Sequence, residues 1–212
     1  GSLVFDVVTL ATVISAFTLP IVRAVADRVQ SKKTLMARLA WTGAAVAALM
    51  FFVTGTNWQL GAGLLVLANL FYAASIVVYD AILVEVAEPD ERDRISSQGW
   101  AFGYLGGGLL LAVNLAIVTI KPFGLGTEMA VRISLLSAAI WWAYFTFIPY
   151  RGIKDRAPRG VAPEEGVTLM QRSFGQLFRT LKELKNYPQT LLFLVAYLFY
   201  NAGIQTVISS SS

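Results

Sequence analysis

Asn69, Tyr72, Tyr79 and Asp80 are polar residues inside one long apolar stretch. Their spacing of three, seven and one sets them on one face if that stretch is helical. Further along, Tyr197, Asn201 and Gln205 recur every four residues, again one helical stripe. Asn114 adds a single amide to a glycine-rich apolar run. Polar side chains in a membrane helix are costly and generally face a bundle interior or a cavity. Together these eight residues offer hydrogen-bond donors and acceptors with little fixed charge, a lining suited to a small polar or zwitterionic solute. The competing reading is plain interhelical hydrogen bonding, worth about 0.6 kcal/mol per bond on average. Asp80 is the one acid well inside a span, apart from Asp6 near an outer end. A carboxyl group in low dielectric can carry a proton near neutrality, which makes a proton a candidate coupling ion.

A second group could do electrostatic work. Glu85, Glu88, Asp90, Glu91 and Asp93 crowd around Arg92 and Arg94, and a turn containing Asp27 and Arg28 is expected to face them. Opposite charges at helix ends can latch one helix pair to another and so bias a conformational equilibrium. If they are fully solvated instead, such pairs are worth about 0–1 kcal/mol. Gly99, Gly103, Gly106 and Gly107 put a smooth stripe on one helix, where a neighbouring backbone can come close.

Composition excludes much else. The 212 residues contain no Cys and no His, which removes disulfides, a Cys/His metal site, a Cys nucleophile and a His-based triad. No nucleotide-binding loop is present, so no ATP-driven step is expected of this chain. No nucleophile–base pair is visible, and neither enzyme activity nor a cofactor is expected. The net charge of +4 reflects loop residues rather than a nucleic-acid surface.

The elements that position these residues follow from hydropathy. The chain is 56% hydrophobic and 14% charged, against about a quarter charged in soluble domains. With about 20 apolar residues per span, six segments qualify: Leu3–Ala24, Leu35–Thr54, Leu60–Val86, Ser96–Thr119, Met129–Pro149 and Gln189–Ser209. The expected class is all-α, a polytopic helical membrane protein whose short connections make antiparallel neighbours. The expected organisation is a five-helix bundle over 1–149, a linker over 150–188 and the first helix of a further half over 189–212. Within the linker, Met170, Phe174, Leu177, Phe178, Leu181 and Leu184 mark one face of a basic amphipathic helix suited to a lipid interface. Of the 17 Lys and Arg residues, only Lys121 and Arg132 fall on one side of the membrane. The other side is therefore expected to be cytoplasmic, with the chain's first residue outside. A first residue outside without a signal peptide suggests a missing upstream helix.

Two patterns carry a resemblance. The turn Arg23-Ala-Val-Ala-Asp27-Arg28-Val-Gln-Ser-Lys32-Lys33 resembles the signature between the second and third helices of the major facilitator superfamily, with Arg23 and Gln30 in place of its two glycines. The stretch YDAILVEVAEPDERDRISSQGWAFGYLGGGLLLAVNL is similar to the vacuolar amino-acid effluxer family within that superfamily and to its bacterial relatives. AVRISLLSAAIWWAYFTFIP and LFYNAGIQTVI fit the same family, and the match runs from its second helix to its seventh. Asp80, Val84 and Ala202 stand where the family more often has Asn, Pro and an acidic residue. The four glycines partly resemble the glycine motif on the fifth helix of exporters, with Tyr104 in place of its Pro. The resemblance implies a partial major-facilitator bundle. It implies a secondary transporter that exports amino acids or similar solutes by alternating access between two halves. The helices not present here would come from a longer parent chain or an oligomeric partner. It also implies a bacterial plasma membrane, or alternatively a vacuolar one. The other function class is a membrane subunit or assembly factor that does not transport and uses the same helices for partner contacts.

Overall fold

The computed structural model describes residues 2–55 and 57–154, together with 175, 179, 182–183, 186–193, 195–197, 199 and 200. The chain divides into two compact units, Gly1–Ala162 and Pro163–Ser212. In the first, five helices follow one another: α1 (Ser2–Ala26), α2 (Lys32–Leu49), α3 (Trp58–Val86), α4 (Arg92–Ile120) and α5 (Thr127–Gly152). Short 3-10 turns at Met50–Phe52, Pro89–Glu91 and Pro122–Gly124 join them, and no strand occurs among the described residues. In the second unit, Pro188–Tyr197 forms a short apolar helix in which the rings of Phe193 and Tyr197 stack 6.4 Å apart. The expected amphipathic helix at Met170–Leu184 and the end of the last span lie largely outside the described residues.

Among the described residues, four helices are long and apolar enough to cross a membrane: α2 with its following turn, α3, α4 and α5. The chain is an integral membrane protein. α1, α3, α4 and α5 run beyond the apolar windows that mark them, whereas α2 starts earlier, at Lys32, and stops at Leu49, short of Thr54, where the Met50–Phe52 turn takes over. α4 starts at Arg92 rather than Ser96, and α5 continues through Pro149 to Gly152. Charged residues form good helix once the chain leaves hydrocarbon, and a proline in a last turn forfeits only one backbone bond.

Local chemistry sets the ends. Ser31 caps α2, its Oγ accepting from the Thr34 backbone N–H at 3.4 Å. α4 stops where Lys121 adopts a left-handed conformation at φ 50°, and Gly124 makes a second positive-φ turn at 71° before α5 begins.

Packing is uneven. α2 lies between α3 and α5, and α1 packs on α3. The buried face of α2 is a run of small residues, Ala37, Ala40, Gly43 and Ala44, with Met36 and Val46. The buried face of α3 carries Ala68, Ala74, Ser75, Val78, Ala81 and Ile82. Small residues allow close backbone approach, which is the main source of helix association in lipid. At the tightest point, a methyl group added to Gly43 would strike the Trp142 indole of α5 and lie 2.9 Å from Phe71 Cβ of α3. A compact cluster of Ala26, Met36, Val78 and Ile82 closes the end of the bundle where α1 meets α2. By contrast, α4 has no buried residue and touches α5 and the end of α3 only lightly.

Candidate functional site

The polar residues of α3 lie on one side of it. The buried face of that helix is turned toward α1 and α2; Asn69, Tyr72 and Asp80 occupy the remaining sector, and Tyr79 stands at its border, packed against the Ala26, Met36, Val78 and Ile82 cluster. Tyr72 is 50% exposed and Asp80 is also exposed, while Asn69 and Tyr79 are half-buried. Each is held differently. Asn69 Nδ2 donates to the Leu65 carbonyl one turn back at 2.8 Å, which orients the amide from within its own helix. The Tyr72 ring meets Trp142 of α5 edge-on at 5.8 Å. The Tyr79 hydroxyl reaches α4, where a methyl on Gly99 would lie 3.2 Å from it. Asp80 sits six residues before the end of α3, about 9 Å along the axis at 1.5 Å per residue.

Asn114 is placed in a hydrogen-bond network between α4 and α5. Its Oδ1 accepts from Ser137 Oγ at 2.8 Å, and its Nδ2 donates to the Ser134 carbonyl at 3.4 Å. Tyr197 belongs to the second unit and is exposed. Asn201 and Gln205 lie outside the described residues.

The charged residues at the basic end form a different arrangement from the one their sequence order suggests. Glu85 of α3 pairs with Lys32, at the start of α2, with the two side chains only 13% and 9% exposed. Lys32 also lies 3.8 Å from Asp27, which pairs with Arg23 at 3.6 Å. Next to it, Lys33 donates to the Ile153 carbonyl beyond α5 at 3.0 Å. One cluster thus ties together the ends of α1, α2, α3 and α5. Arg92 takes another role. Its Nη2 donates to the Val84 carbonyl at 2.8 Å and its Nε to the Ala87 carbonyl at 3.2 Å. These are acceptors at the end of α3 that no helical N–H can reach, and a cation there also favours the helix dipole. Arg94 pairs with Glu91 one turn away at 3.1 Å on the exposed surface, and Arg28 is exposed.

Lys32 is the participant that composition and spacing do not single out, because a lysine in a basic turn reads as a topology marker. Its signal is positional: it stands at the first turn of α2, where the short connection from α1 brings it against the end of α3. The glycine stripe of α4 also divides. Gly99 meets Tyr79, and Gly106 lies 3.6 Å from Trp141 Cζ2, whereas Gly103 and Gly107 face open space. Four-residue spacing aligns small residues on a face but does not supply a neighbour to fill it.

Comparison with known proteins gives a consistent result. The family model described as "Vacuole effluxer Atg22 like" matches residues 1–91 and 84–212. A Bacillus subtilis protein described as the uncharacterized MFS-type transporter YxiO is 26% identical over 208 residues, covering 97% of this chain and 48% of the relative. Autophagy-related protein 22-2 of Neosartorya fischeri is 22% identical over 274 residues, covering 94% of this chain and 44% of the relative. Autophagy-related protein 22 of Cryptococcus neoformans is 25% identical over 115 residues, covering 53% and 20% respectively. The chain therefore spans about half or less of the length of these curated relatives. No solved structure matches it significantly.

Proposed function

Because the chain belongs to the vacuole effluxer Atg22-like family, we propose that it forms part of a secondary active transporter that exports small polar solutes, amino acids among them, by alternating access. The observation that carries the reading is the polar sector of α3. Tyr72 and Asp80 are exposed within a 29-residue apolar span, on the side turned away from the packed faces of α1 and α2. A carboxylate in that position is expensive against lipid, and a water-filled solute path relieves the cost. Asn69, Tyr72, Tyr79 and Asp80 would offer hydrogen bonds to an ammonium or carboxylate. Asn114 would extend the lining from α4. The likeness to a bacterial relative named as an MFS-type transporter supports the transport class.

In this reading the basic-end cluster is the gate. Lys32–Glu85 is buried enough to hold the ends of α2 and α3 together in one state, with Asp27 as an alternative partner for Lys32 when Glu85 moves away. Arg92 keeps the end of α3 intact through that motion, and Arg28 and Arg94 stay at the surface.

Reconstitution of the protein into liposomes tests this. With the helices of a longer parent chain or of a partner supplied in the same vesicles, counterflow of labelled neutral amino acids is expected to be saturable in the wild type. Asp80→Asn is expected to remove flux driven by a pH gradient while leaving exchange. Flux equal to that of empty vesicles for every amino acid would overturn the solute class. An unchanged response to the pH gradient in Asp80→Asn would remove Asp80 from coupling.

A further inference from the structure

At the end of the bundle opposite the charged cluster, the end of α2 and the starts of α3 and α5 line an open cavity of about 620 Å³, inside the range of about 300–1,000 Å³ typical of ligand sites. It is separate from the polar sector of α3 described above. Its walls are apolar, with Val53, Leu65 and Leu135 among them, and Trp58 stands beside it at the first position of α3. Two charged residues of α5 complete the lining: Glu128 and Arg132. Residues four apart on a helix are neighbours, with Cβ atoms about 5–6 Å apart, yet among the described residues no ion pair involves either one.

Arg132 is held in place by other means. Its Nε donates to the Phe51 carbonyl, and its guanidinium lies 4.8 Å from the centroid of the Phe51 ring. Among the described residues, no protein acceptor is bonded to its two terminal nitrogens. A fixed guanidinium with terminal N–H groups to spare suits a phosphate oxygen. The exposed carboxylate one turn toward the start of α5 suits an ammonium. An apolar chamber directly beneath, at the level of helix ends where indole rings favour the membrane interface, suits an acyl chain.

We propose that this cavity is a binding site for a zwitterionic phospholipid of the phosphoethanolamine class. The phosphate sits on Arg132, the ammonium on Glu128 and one acyl chain enters between α3 and α5. The two charges explain the headgroup preference: an anionic phosphoglycerol lipid would gain Arg132 but meet Glu128 with no cation to offer it.

Native mass spectrometry of the delipidated full chain tests the site. It is titrated with phosphatidylethanolamine and phosphatidylglycerol of matched acyl chains and, separately, with free leucine as a soluble zwitterion. The wild type is expected to retain phosphatidylethanolamine at least tenfold better than phosphatidylglycerol. Glu128→Gln, at an exposed position and with folding checked by circular dichroism, is expected to bring the two lipids to within about twofold. Ala62→Trp, which fills the chamber, is expected to abolish retention of both while circular dichroism stays unchanged. Arg132→Gln is expected to weaken phosphatidylethanolamine tenfold or more. Equal retention of the two lipids by the wild type, an unchanged preference in Glu128→Gln, or displacement of the lipid by millimolar leucine would each overturn the proposal.

Discussion

α2 and α4 begin alike and end up differently. Each opens at the basic end of the bundle with two cations, Lys32 and Lys33 in one, Arg92 and Arg94 in the other, and each carries glycine among small residues. In α2 the cation is buried against Glu85 and the glycine sits under an indole. In α4 Arg94 is 68% exposed, and Gly103 and Gly107 meet nothing. The difference lies in the neighbours rather than in the helix. α2 has large or acidic partners on both sides, Trp142 and Phe71 at one level and Glu85 at another, whereas α4 lies along the margin of the unit. Small residues and charges acquire structural weight only where another element closes over them.

The largest effect should appear where the two helices differ in charge burial. Removing one partner of a buried pair strands the other, at a cost of about 3–5 kcal/mol. The residual wetting of Lys32 and Glu85, and the Asp27 carboxylate that stays 3.8 Å from Lys32, put the expected loss for Glu85→Leu at or below the lower end of that range. Arg94→Leu, at a solvated pair, should cost about 0–1 kcal/mol. Unfolding of purified protein in mixed micelles, followed by circular dichroism, gives both values. The double replacement Lys32→Met with Glu85→Leu should recover much of the loss, since no charge is then left unpaired. Equal losses at Glu85 and Arg94 would erase the contrast between the helices.

Glycine provides the next contrast. Overpacking a tight contact costs about 1–3 kcal/mol, and Gly43→Val should fall in that range because the obstacle is a packed indole and the Cβ of Phe71 rather than a flexible side-chain tip. Gly103→Ala should leave stability unchanged or raise it by up to about 1 kcal/mol, the helix-propensity gain of alanine over glycine. Trp142→Phe should relieve Gly43→Val in part. Equal penalties at Gly43 and Gly103 would show that α4 is as tightly packed as α2.

Which of this was legible beforehand follows from range. The four spans α2 to α5 were legible because hydropathy is local, and the shared face of the polar residues of α3 because helical periodicity is local. The partner of Glu85 was not. Its nearest cations in sequence are Arg92 and Arg94, but Arg92 is drawn to the open carbonyls at Val84 and Ala87, and the pairing cation arrives from a turn far earlier in the chain. Gly43 was equally hidden, a single glycine in a run of alanines whose partner Trp142 lies three helices on. The spaced glycines of α4 gave the stronger pattern and the weaker contact. A sequence records which face is smooth, and only the tertiary arrangement decides what lies against it.

The smallest expected effect concerns the hydrogen bonds that Asn114 of α4 makes to α5. Asn114 Oδ1 accepts from Ser137 Oγ, and Ser137 also bonds to the Ser134 carbonyl at 2.8 Å. Because the serine keeps that second acceptor on its own helix, losing Asn114 does not leave its hydroxyl unsatisfied. Interhelical hydrogen bonds in lipid average about 0.6 kcal/mol, and a double-mutant cycle of Asn114→Leu with Ser137→Ala should give a coupling of about that size. The same cycle separates two roles for Asn114. If the amide only joins α4 to α5, Asn114→Leu and Ser137→Ala should alter transport alike, through packing. If the amide also lines the solute path, Asn114→Leu should raise the half-saturating solute concentration several-fold more than Ser137→Ala at equal stability loss. Measuring both variants by counterflow and by unfolding decides between them.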